Sequence, residues 1–478
     1  MRRHGNGAPR ILILGAGPTG LGAAQRLSEL GHGDYLVLER NRYAGGLSAS
    51  FVDPQGFTWD LGGHIQFSHY DHFDQVLGQA YGDGWIDHVR QSHVWLRERF
   101  VPYPFQYNLR HLPKSDLWRC VRGMIEADRN RDGTPGNFRD WILSSFGEGI
   151  AGLFLFPYNF KVWAHPLEML SYGWVGERVA VLNLERALEN IILERDDAAW
   201  GPNQTFRFPR RGGTGAIWRA VAGQIPGERL LYGAEVAGVD PGRRVVRLRD
   251  GREFRYDALI STLPLDALAE MSGRRDWMRP ARRLSYSSTH VAGIGLEGRT
   301  PERLRGRNWM YFPEDNCPFY RVTVFSNYSP ENVPDPGRHW SLMAEISESR
   351  HKAVDRDRVV EDTVRGLEAT GLLPGGARVV SAWTCFLPRG YPVPTCDRDE
   401  LLGELLPRLE EEGILSRGRF GAWKYEVANQ DHCFMQGVEA ADRLLLGTPE
   451  TTVHDPQRVN SGGSRNERLR GASGQPAR

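Results

Sequence analysis

Residues 11–20 read ILILGAGPTG, and this stretch decides the fold of the N-terminal part of the chain. Residues 11–14 form a continuous apolar run, which is typical of a strand buried on both faces. Residues 21–30 (LGAAQRLSEL) then carry apolar side chains at helical spacing, and Gly31 is placed to end that helix. A second apolar run follows at residues 35–38. Strand, glycine turn, helix and strand in about 30 residues predict a βαβ unit.

Three glycines in the turn indicate that this unit binds a ligand. Gly15, Gly17 and Gly20 form a G-x-G-x-x-G pattern, which allows a tight turn, close approach of a pyrophosphate and close helix–strand packing. The helix N-terminus offers N–H groups to the phosphates. Glu39 follows the second strand, where a carboxylate can accept hydrogen bonds from a ribose. The pattern predicts a dinucleotide site, although chance glycines are the competing interpretation.

Length and composition are those of a multi-domain globular protein. The chain has 478 residues, above the ~250–300 at which one core usually divides, with 40% hydrophobic and 25% charged residues. A net charge of +1 gives no overall field that would attract nucleic acid or an anionic membrane. No apolar run reaches the ~18 residues of a membrane span, and residues 1–3 are not followed by a signal-peptide core. We expect a cytoplasmic protein without nucleic-acid or membrane partners.

The cysteines and histidines favour neither a disulfide framework nor a metal site. The sequence contains five scattered cysteines without a C-x-x-C pair, which fits a reducing compartment. They are Cys120, Cys317, Cys385, Cys396 and Cys433. His64, His69 and His72 are spaced as metal ligands on a helix could be, but aromatic residues separate them and no cysteine accompanies them. We expect no metal.

The remaining chain alternates between sheet-like and helical composition. Residues 93–107 and about 285–390 contain repeated β-rich runs, which predict an antiparallel sheet. Residues 110–200 are rich in tryptophan and carry apolar side chains at helical spacing. Residues 229–260 read as strands with a hairpin turn at Asp250-Gly251.

Later motifs suggest what kind of dinucleotide is bound. Paired glycines at 45–46 and 62–63 let the backbone pass close to a flat ligand, and after a Rossmann unit this arrangement resembles the flavin-binding amine oxidase superfamily. FAD is therefore favoured over a diffusible nicotinamide. Residues 103–106 (YPFQ) and 156–163 (FPYNFKVW) combine stacking rings with amides that can read a base edge. On their own, these two stretches are more typical of core packing.

With these stretches in view, the chain resembles the eukaryotic-type UDP-galactopyranose mutases over about residues 10–470. The motifs that carry the resemblance are GAGPTGLGAA, DLGGHIQFSH, VPYPFQ, FPYNFKVWA, GERVA, FRFPRRGGTGAIW, YSSTHVAGIG, YFPEDNCPFYR and GRFGAWKYEVANQDH. The resemblance implies an α/β fold with a discontinuous Rossmann-type FAD-binding domain, a helical domain and an antiparallel β-sheet domain. The expected bounds are 1–92, 205–275 and 400–453 for the FAD domain, 108–204 for the helical domain, 93–107 and 276–399 for the sheet domain, and 454–478 for a tail that ends in disorder.

The resemblance also implies the site residues. The implied nucleoside contacts are Tyr103, Phe105, Gln106, Asn159 and Trp163. The residues implied around the diphosphate and sugar are Arg178, Asn203, Tyr311, Arg321, Tyr391, Tyr425 and Asn429. The implied cofactor contacts are Gly15, Gly17, Thr19, Gly20, Glu39, Gly46, Leu47, Gly62, Gly63, His64, Val236, Arg419 and Gln430. Arg178, Arg321, His64 and Arg419 are the implied catalytic residues, and Arg90 resembles an arginine linked to nicotinamide binding.

Three residues depart from the family pattern. Tyr107 stands where a small amide residue is usual, Gln66 where an apolar residue is usual, and Lys424 where arginine is usual. These departures leave open which base and which hexose the site prefers.

The activity that the resemblance implies is interconversion of the pyranose and furanose forms of a nucleotide-activated hexose. UDP-galactopyranose is the expected substrate, joined during turnover to N5 of reduced FAD, with NAD(P)H as the reductant. Paired guanidiniums suit the diphosphate. A mutase for another sugar nucleotide, such as a GDP-hexose, is the first alternative. A redox FAD amine oxidase or desaturase and a flavoprotein that only binds nucleotide are the others, and a homo-oligomer is left open.

Overall fold

The computed structural model describes residues 9–130, 133–198, 201 and 203–461, so the end of the expected tail lies outside the described residues. The strands are β1 (Ile11–Leu14), β2 (Tyr35–Glu39), β3 (Ser50–Val52), β4 (Thr58–Asp60), β5 (Trp85–Val89), β6 (Ser92–Leu96), β7 (Arg99–Pro102), β8 (Thr205–Pro209), β9 (Leu230–Tyr232), β10 (Val236–Asp240), β11 (Val245–Leu248), β12 (Glu253–Arg255), β13 (Ala258–Ser261), β14 (Tyr286–Glu297), β15 (Trp309–Tyr311), β16 (Arg321–Val324), β17 (His339–Glu348), β18 (Val379–Pro392) and β19 (Ile414–Ser416). The helices are α1 (Pro18–Glu29), α2 (Asp71–Tyr81), α3 (Lys114–Arg129), α4 (Phe138–Ile150), α5 (Phe156–Trp163), α6 (Leu184–Ile192), α7 (Gly213–Gly223), α8 (Leu265–Ser272), α9 (Arg275–Ala281), α10 (Val359–Ala369), α11 (Arg398–Glu411), α12 (Gln430–Leu446) and α13 (Pro456–Asn460).

The predicted βαβ unit lies at the centre of a five-stranded parallel sheet. The strand order is β19-β13-β1-β2-β9, so strands from distant parts of the chain flank the N-terminal pair. All four residues of β1 are buried, as its continuous apolar run predicts. The hairpin predicted at Asp250-Gly251 is confirmed, because β11 and β12 pair antiparallel across it.

The second large sheet has seven strands in the order β18-β14-β17-β16-β15-β6-β7. Its neighbouring strands run antiparallel, as predicted, except for β15 and β6, which pair in parallel. Helix α10, which was not expected from the sequence, packs against this sheet through Val359 and Leu367. The buried positions of α10 recur at helical spacing, but the β-rich runs on both sides dominate the composition there.

Helices α3 to α6 occupy the segment predicted to be helical, and a π-helical turn at Ala151–Leu155 joins α4 to α5. These helices enclose a core of their own with the β6–β7 hairpin, in which Phe105 and Phe154 pack at a ring-centroid distance of 4.9 Å. The described residues contain no helix that is both long and apolar enough to span a bilayer. The bounds expected for the three domains remain a prediction.

Glycines allow α1 and α12 to pack backbone against backbone. A Cβ atom on Gly437 would lie 1.9 Å from the carbonyl oxygen of Thr19, and one on Gly22 would lie 2.2 Å from that of Phe434. Neither position can carry a side chain without separating the helices. This packing fixes the N-terminus of α12 next to the glycine turn after β1.

We expect Gly437→Ala to destabilise the protein by about 1–3 kcal/mol, because the added methyl group meets backbone and not a movable side chain. Denaturant unfolding of the holoprotein measures the change. Gly403→Ala is the matched control, since Gly403 lies within α11 and has no atom within 4 Å of an added Cβ. Equal stability of Gly437→Ala and the parent would contradict the tight packing described here.

Candidate active site

A cavity of about 950 Å³ opens where the five-stranded sheet, the seven-stranded sheet and α5 meet. The predicted cofactor residues that line it are Gly15, Gly17, Thr19, Glu39, Gly46, Leu47, Gly62, Gly63, His64, Val236, Arg419 and Gln430. The predicted substrate residues that line it are Tyr103, Asn159, Trp163, Arg178, Asn203, Tyr311, Arg321, Tyr391, Tyr425 and Asn429. One continuous cavity therefore brings both predicted sets together.

Three predicted site residues lie behind the cavity wall instead of in it. Gly20 packs so closely that its Cβ would lie 1.9 Å from the carbonyl oxygen of Gly15, which is the helix–strand packing role of a third glycine. Phe105 is fully buried in the helical core, and Gln106 donates from Nε2 to the carbonyl of Ala180. Phe105 and Gln106 therefore support the cavity wall from behind, and their direct contact with a nucleoside stays a prediction.

The glycine turn forms a cradle with room for a phosphate-bearing ligand. Gly15 has a φ of +100°, and a Cβ there would lie 2.3 Å from Oγ1 of Thr262. A Cβ on Gly46 would lie 3.3 Å from Cα of Gly17, so these two glycines face each other across the cradle. Side chains at these positions would collide with neighbouring protein atoms, so the backbone of the turn lines the cavity without side chains, as binding of a pyrophosphate requires.

The Glu39 carboxylate is held rigidly at the end of β2. Its Oε2 accepts from the amide of Ala16 at 2.7 Å, and its Oε1 accepts from the amide of Asn41 at 2.8 Å. The side chain is buried yet still lines the cavity. A fixed acceptor beside the cradle is what the ribose of a dinucleotide requires, so the residues present fit FAD.

The Arg178 guanidinium is fixed by the segment before α12. Its Nη1 donates to Oδ1 of Asn429 at 3.2 Å, and its Nη2 donates to the carbonyl of Glu426 at 3.0 Å. The guanidinium also lies over the ring of Tyr425 at 4.7 Å. These contacts join Arg178 of the GERVA motif to Tyr425 and Asn429, which both belong to the later motif GRFGAWKYEVANQDH.

The Arg321 guanidinium forms a bidentate ion pair with the buried Glu345. Nη2 of Arg321 lies 2.7 Å and 2.8 Å from the two carboxylate oxygens, and Nε lies 3.0 Å from Oε1. Because this cation is so close, the pKa of Glu345 is lowered despite its burial. Arg321 lines the cavity as a permanent cation of fixed orientation.

Two further arginines are oriented by hydrogen bonds, one to backbone carbonyls and the other to a side-chain amide. Arg419 donates to the carbonyl of Gly390 at 3.1 Å and 3.0 Å and to that of Ala428 at 3.1 Å. Arg90 donates to Oδ1 of Asn203 at 2.5 Å. Both arginines line the cavity, at positions that bring their positive charge to it.

Aromatic side chains form the wall of the cavity next to α5. Tyr311 lies between Tyr103 and Tyr158, at centroid distances of 5.2 Å and 5.1 Å, and Trp163 packs edge-on against Tyr425 at 4.8 Å. Burial raises the pKa of Tyr103, Tyr158 and Tyr311, so these hydroxyl groups stay protonated and can donate hydrogen bonds. The wall therefore offers ring faces and neutral donors.

The three histidines of the candidate metal run are dispersed by the fold. His64 lines the cavity, whereas Nδ1 of His69 lies 2.7 Å from Oδ2 of Asp431. His72 lies on α2, with Nε2 at 3.7 Å from Glu29. His69, Asp431 and His432 do form a buried cluster, but its members come from two distant segments.

Two residues of the site were not expected from the sequence. Tyr158 lies inside the FPYNFKVW motif yet was not selected, although it lines the cavity. Glu345 also lines the cavity, and the signal for it was present in the apolar run SLMAEIS of β17. An acid in the middle of a buried strand needs a cationic partner, so it predicts an ion pair.

Comparison with known proteins identifies the family. The model of the flavin-containing amine oxidoreductases matches residues 18–445. A crystal structure of a reduced UDP-galactopyranose mutase superposes with a TM-score of 0.93 at 49% sequence identity, covering 96% of this chain and 98% of that one. The chain belongs to the UDP-galactopyranose mutase family, within the flavin-containing amine oxidoreductases. The α/β flavoprotein fold that the sequence predicted is confirmed, and FAD is the cofactor of this family.

More distant matches to this mutase-family chain include two solved structures with the same fold and one relative found by sequence. A putative protoporphyrinogen oxidase from Exiguobacterium superposes with a TM-score of 0.69 at 14% identity, covering 92% of this chain and 99% of that one. A putrescine oxidase mutant gives 0.63 at 14%, covering 92% and 99%. A zeta-carotene-forming phytoene desaturase from Myxococcus xanthus is 26% identical over 62% of this chain and 62% of its own length.

His64 should be neutral at physiological pH. Burial, together with the nearby cations Arg321 and Arg419, outweighs the opposing effect of the Glu345 carboxylate and lowers the pKa of His64 to about 4. Because the pKa in the folded state lies below the unfolded value of about 6.5, the neutral ring stabilises the fold above pH ~6.5, and this contribution is lost as the pH falls towards 4. We expect His64→Gln to lose less stability than the parent between pH 7 and pH 4.5.

Urea unfolding of the holoprotein at the two pH values measures this difference. His351→Gln serves as the control, because it makes the same substitution at an exposed position. If His64→Gln and the parent lose stability equally on acidification, His64 is not held neutral by its surroundings.

Proposed function

We propose that the protein is a flavin-dependent mutase that interconverts the pyranose and furanose forms of a nucleotide-activated hexose, with UDP-galactopyranose as the substrate. The observation that carries the proposal is the convergence of Arg178, Arg321 and Arg419 on a cavity that continues into the dinucleotide cradle. A neutral or amine substrate has no need of such a charge, whereas a departing diphosphate does.

The proposed role of Arg178 and Arg321 is to hold the diphosphate while its bond to the sugar is broken and re-formed. Both guanidiniums are anchored by protein acceptors, so their charge is already in place when negative charge develops on the leaving phosphate. The protonated hydroxyl of Tyr311 is placed to donate to phosphate oxygens beside them.

The proposed role of the loop Gly62–His64 is to position the flavin ring next to the sugar. Reduced FAD, when bound, supplies an electron-rich nitrogen as the nucleophile for the anomeric carbon. Because His64 is neutral, the positive charge in this part of the cavity comes from the guanidiniums. Arg90, held by Asn203, is the proposed contact for the nicotinamide nucleotide that reduces the cofactor.

The nucleoside is proposed to bind among the rings of Tyr103, Tyr158 and Trp163, where Asn159 supplies the amide for a base edge. Stacking alone accepts every base. A GDP-hexose therefore remains the alternative substrate, and comparison of nucleotides is part of the test.

We expect the dithionite-reduced protein to convert UDP-galactofuranose and UDP-galactopyranose into each other without consuming an electron acceptor. The oxidised protein should be inactive, because the nucleophile exists only on the reduced cofactor. Chromatography of UDP-, GDP- and TDP-hexoses after incubation measures the conversion. Oxygen consumption with an amine, in the absence of sugar conversion, would instead support the oxidase alternative.

Arg321→Ala should lower kcat/KM by the equivalent of about 2–4 kcal/mol, because it removes a charge-assisted pair with the phosphate and leaves Glu345 unneutralised. Arg356→Ala is the control, since Arg356 pairs with Glu348 on the surface. Turnover of Arg321→Ala at the parental rate with every sugar nucleotide would show that Arg321 does not act on the phosphate.

A further inference from the structure

The carboxylate of Glu345 is the most heavily used acceptor in the cavity wall. Its Oε1 accepts from the amide of Gly63 at 2.7 Å, and its Oε2 accepts from the hydroxyl of Tyr320 at 2.6 Å. Both oxygens also accept from Arg321. The side chain is 2% exposed, so water cannot replace any of these donors.

The sheet itself sets the pairing of Glu345 with Arg321. The two residues are directly opposite each other in the antiparallel ladder of β16 and β17, so their side chains lie on the same face. This placement leaves the guanidinium little freedom to turn away. Among the described residues, its Nη1 has no hydrogen-bond acceptor, and this is the donor left for a ligand.

The loop on the cofactor side presses against the same ion pair. A Cβ on Gly63 would lie 3.1 Å from Oε1 of Glu345 and 3.4 Å from Cζ of Arg321. A residue with a side chain at position 63 could therefore approach no closer without displacing Glu345 or Arg321. The loop Gly62–His64 and the guanidinium are therefore held by one carboxylate.

The charge of Glu345 also determines how strongly Arg321 attracts an anion. When Glu345 is ionised, its negative charge offsets the positive charge of Arg321, so the buried pair carries no net charge. A diphosphate is then attracted less strongly by Arg321, but it still meets a hydrogen-bond donor of fixed orientation. Without that carboxylate, the guanidinium would present a full positive charge in a site largely shielded from water.

We propose that Glu345 is a positioning residue of this site. It fixes the orientation of Arg321 and lowers the affinity of Arg321 for the diphosphate, so that the nucleotide does not bind too tightly for turnover. The inference rests on the proposed function in that it takes a nucleoside diphosphate as the ligand. It assigns to Glu345 no contact with substrate.

The test separates the charge of Glu345 from its shape. Glu345→Gln keeps the shape and removes the charge, so we expect UDP to bind about tenfold more tightly to the oxidised holoenzyme while kcat falls about tenfold or more. Glu345→Asp keeps the charge and shortens the reach, so UDP affinity should stay within about threefold of the parent while kcat falls. Isothermal titration with UDP and steady-state kinetics give the two readouts.

Two further variants show whether the effect passes through Arg321. Glu348→Gln is the matched control, because Glu348 lies on the same strand, pairs with Arg356 and His290, and does not line the cavity. It should leave both readouts unchanged. In an Arg321→Ala background, Glu345→Gln should no longer change UDP affinity, since coupled residues are non-additive.

The proposal would be overturned if Glu345→Gln bound UDP with unchanged or weaker affinity than the parent. It would also be overturned if Glu345→Gln changed UDP affinity by the same factor in the Arg321→Ala background as in the parent. If Glu345→Gln does not retain FAD, Glu345→Asp and Tyr320→Phe take its place, and parental kcat in both would overturn the positioning role. A parent that binds UDP but converts no sugar nucleotide would contradict the proposed function, not this inference. Titration with inorganic pyrophosphate tests the charge effect independently of the nucleoside.

Discussion

The site depends on one buried carboxylate, that of Glu345, which accepts both from the backbone N–H of Gly63 and from the adjacent guanidinium of Arg321. An isolated carboxylate in a protein interior costs several kcal/mol, and Glu345 is tolerated because Arg321, Tyr320 and Gly63 satisfy its oxygens together. If one of these donors moved away, the buried negative charge of Glu345 would lose a hydrogen bond that stabilises it. The loop Gly62–His64 is consequently held against the strands that carry Arg321 and Glu345.

The parts of the fold that the sequence predicted are those with strong local periodicity. The run at residues 11–14, the helix after it and the glycine turn specify one another within a short stretch, and the structure forms them as β1 and α1. The parallel order of the sheet could not be read in this way, because β13 and β19 come from distant segments. Helix α10 was missed because its eleven residues lie between long strands.

The candidate site shows the same division between local and distant information. Motif residues such as Tyr103, Asn159 and Arg178 do line the cavity, because each motif is a short segment that reaches its edge. Phe105 and Gln106 belong to the same motif as Tyr103 but point into the core. A motif indicates which segment reaches the site, whereas the direction of each side chain depends on packing with other segments.

The anchoring of the guanidiniums explains how one flavoprotein fold can serve chemistry other than oxidation. Arg178 and Arg419 each donate to backbone carbonyls, and Arg321 donates to a carboxylate, so all three are oriented before any ligand arrives. Fixed donors need no reorganisation when negative charge appears on a leaving phosphate, which is what the proposed mutase reaction requires. Solved structures at 14% identity share this fold, and a fold does not by itself specify a reaction. The side chains that project into the cavity determine it, and their direction depends on the acceptors behind them.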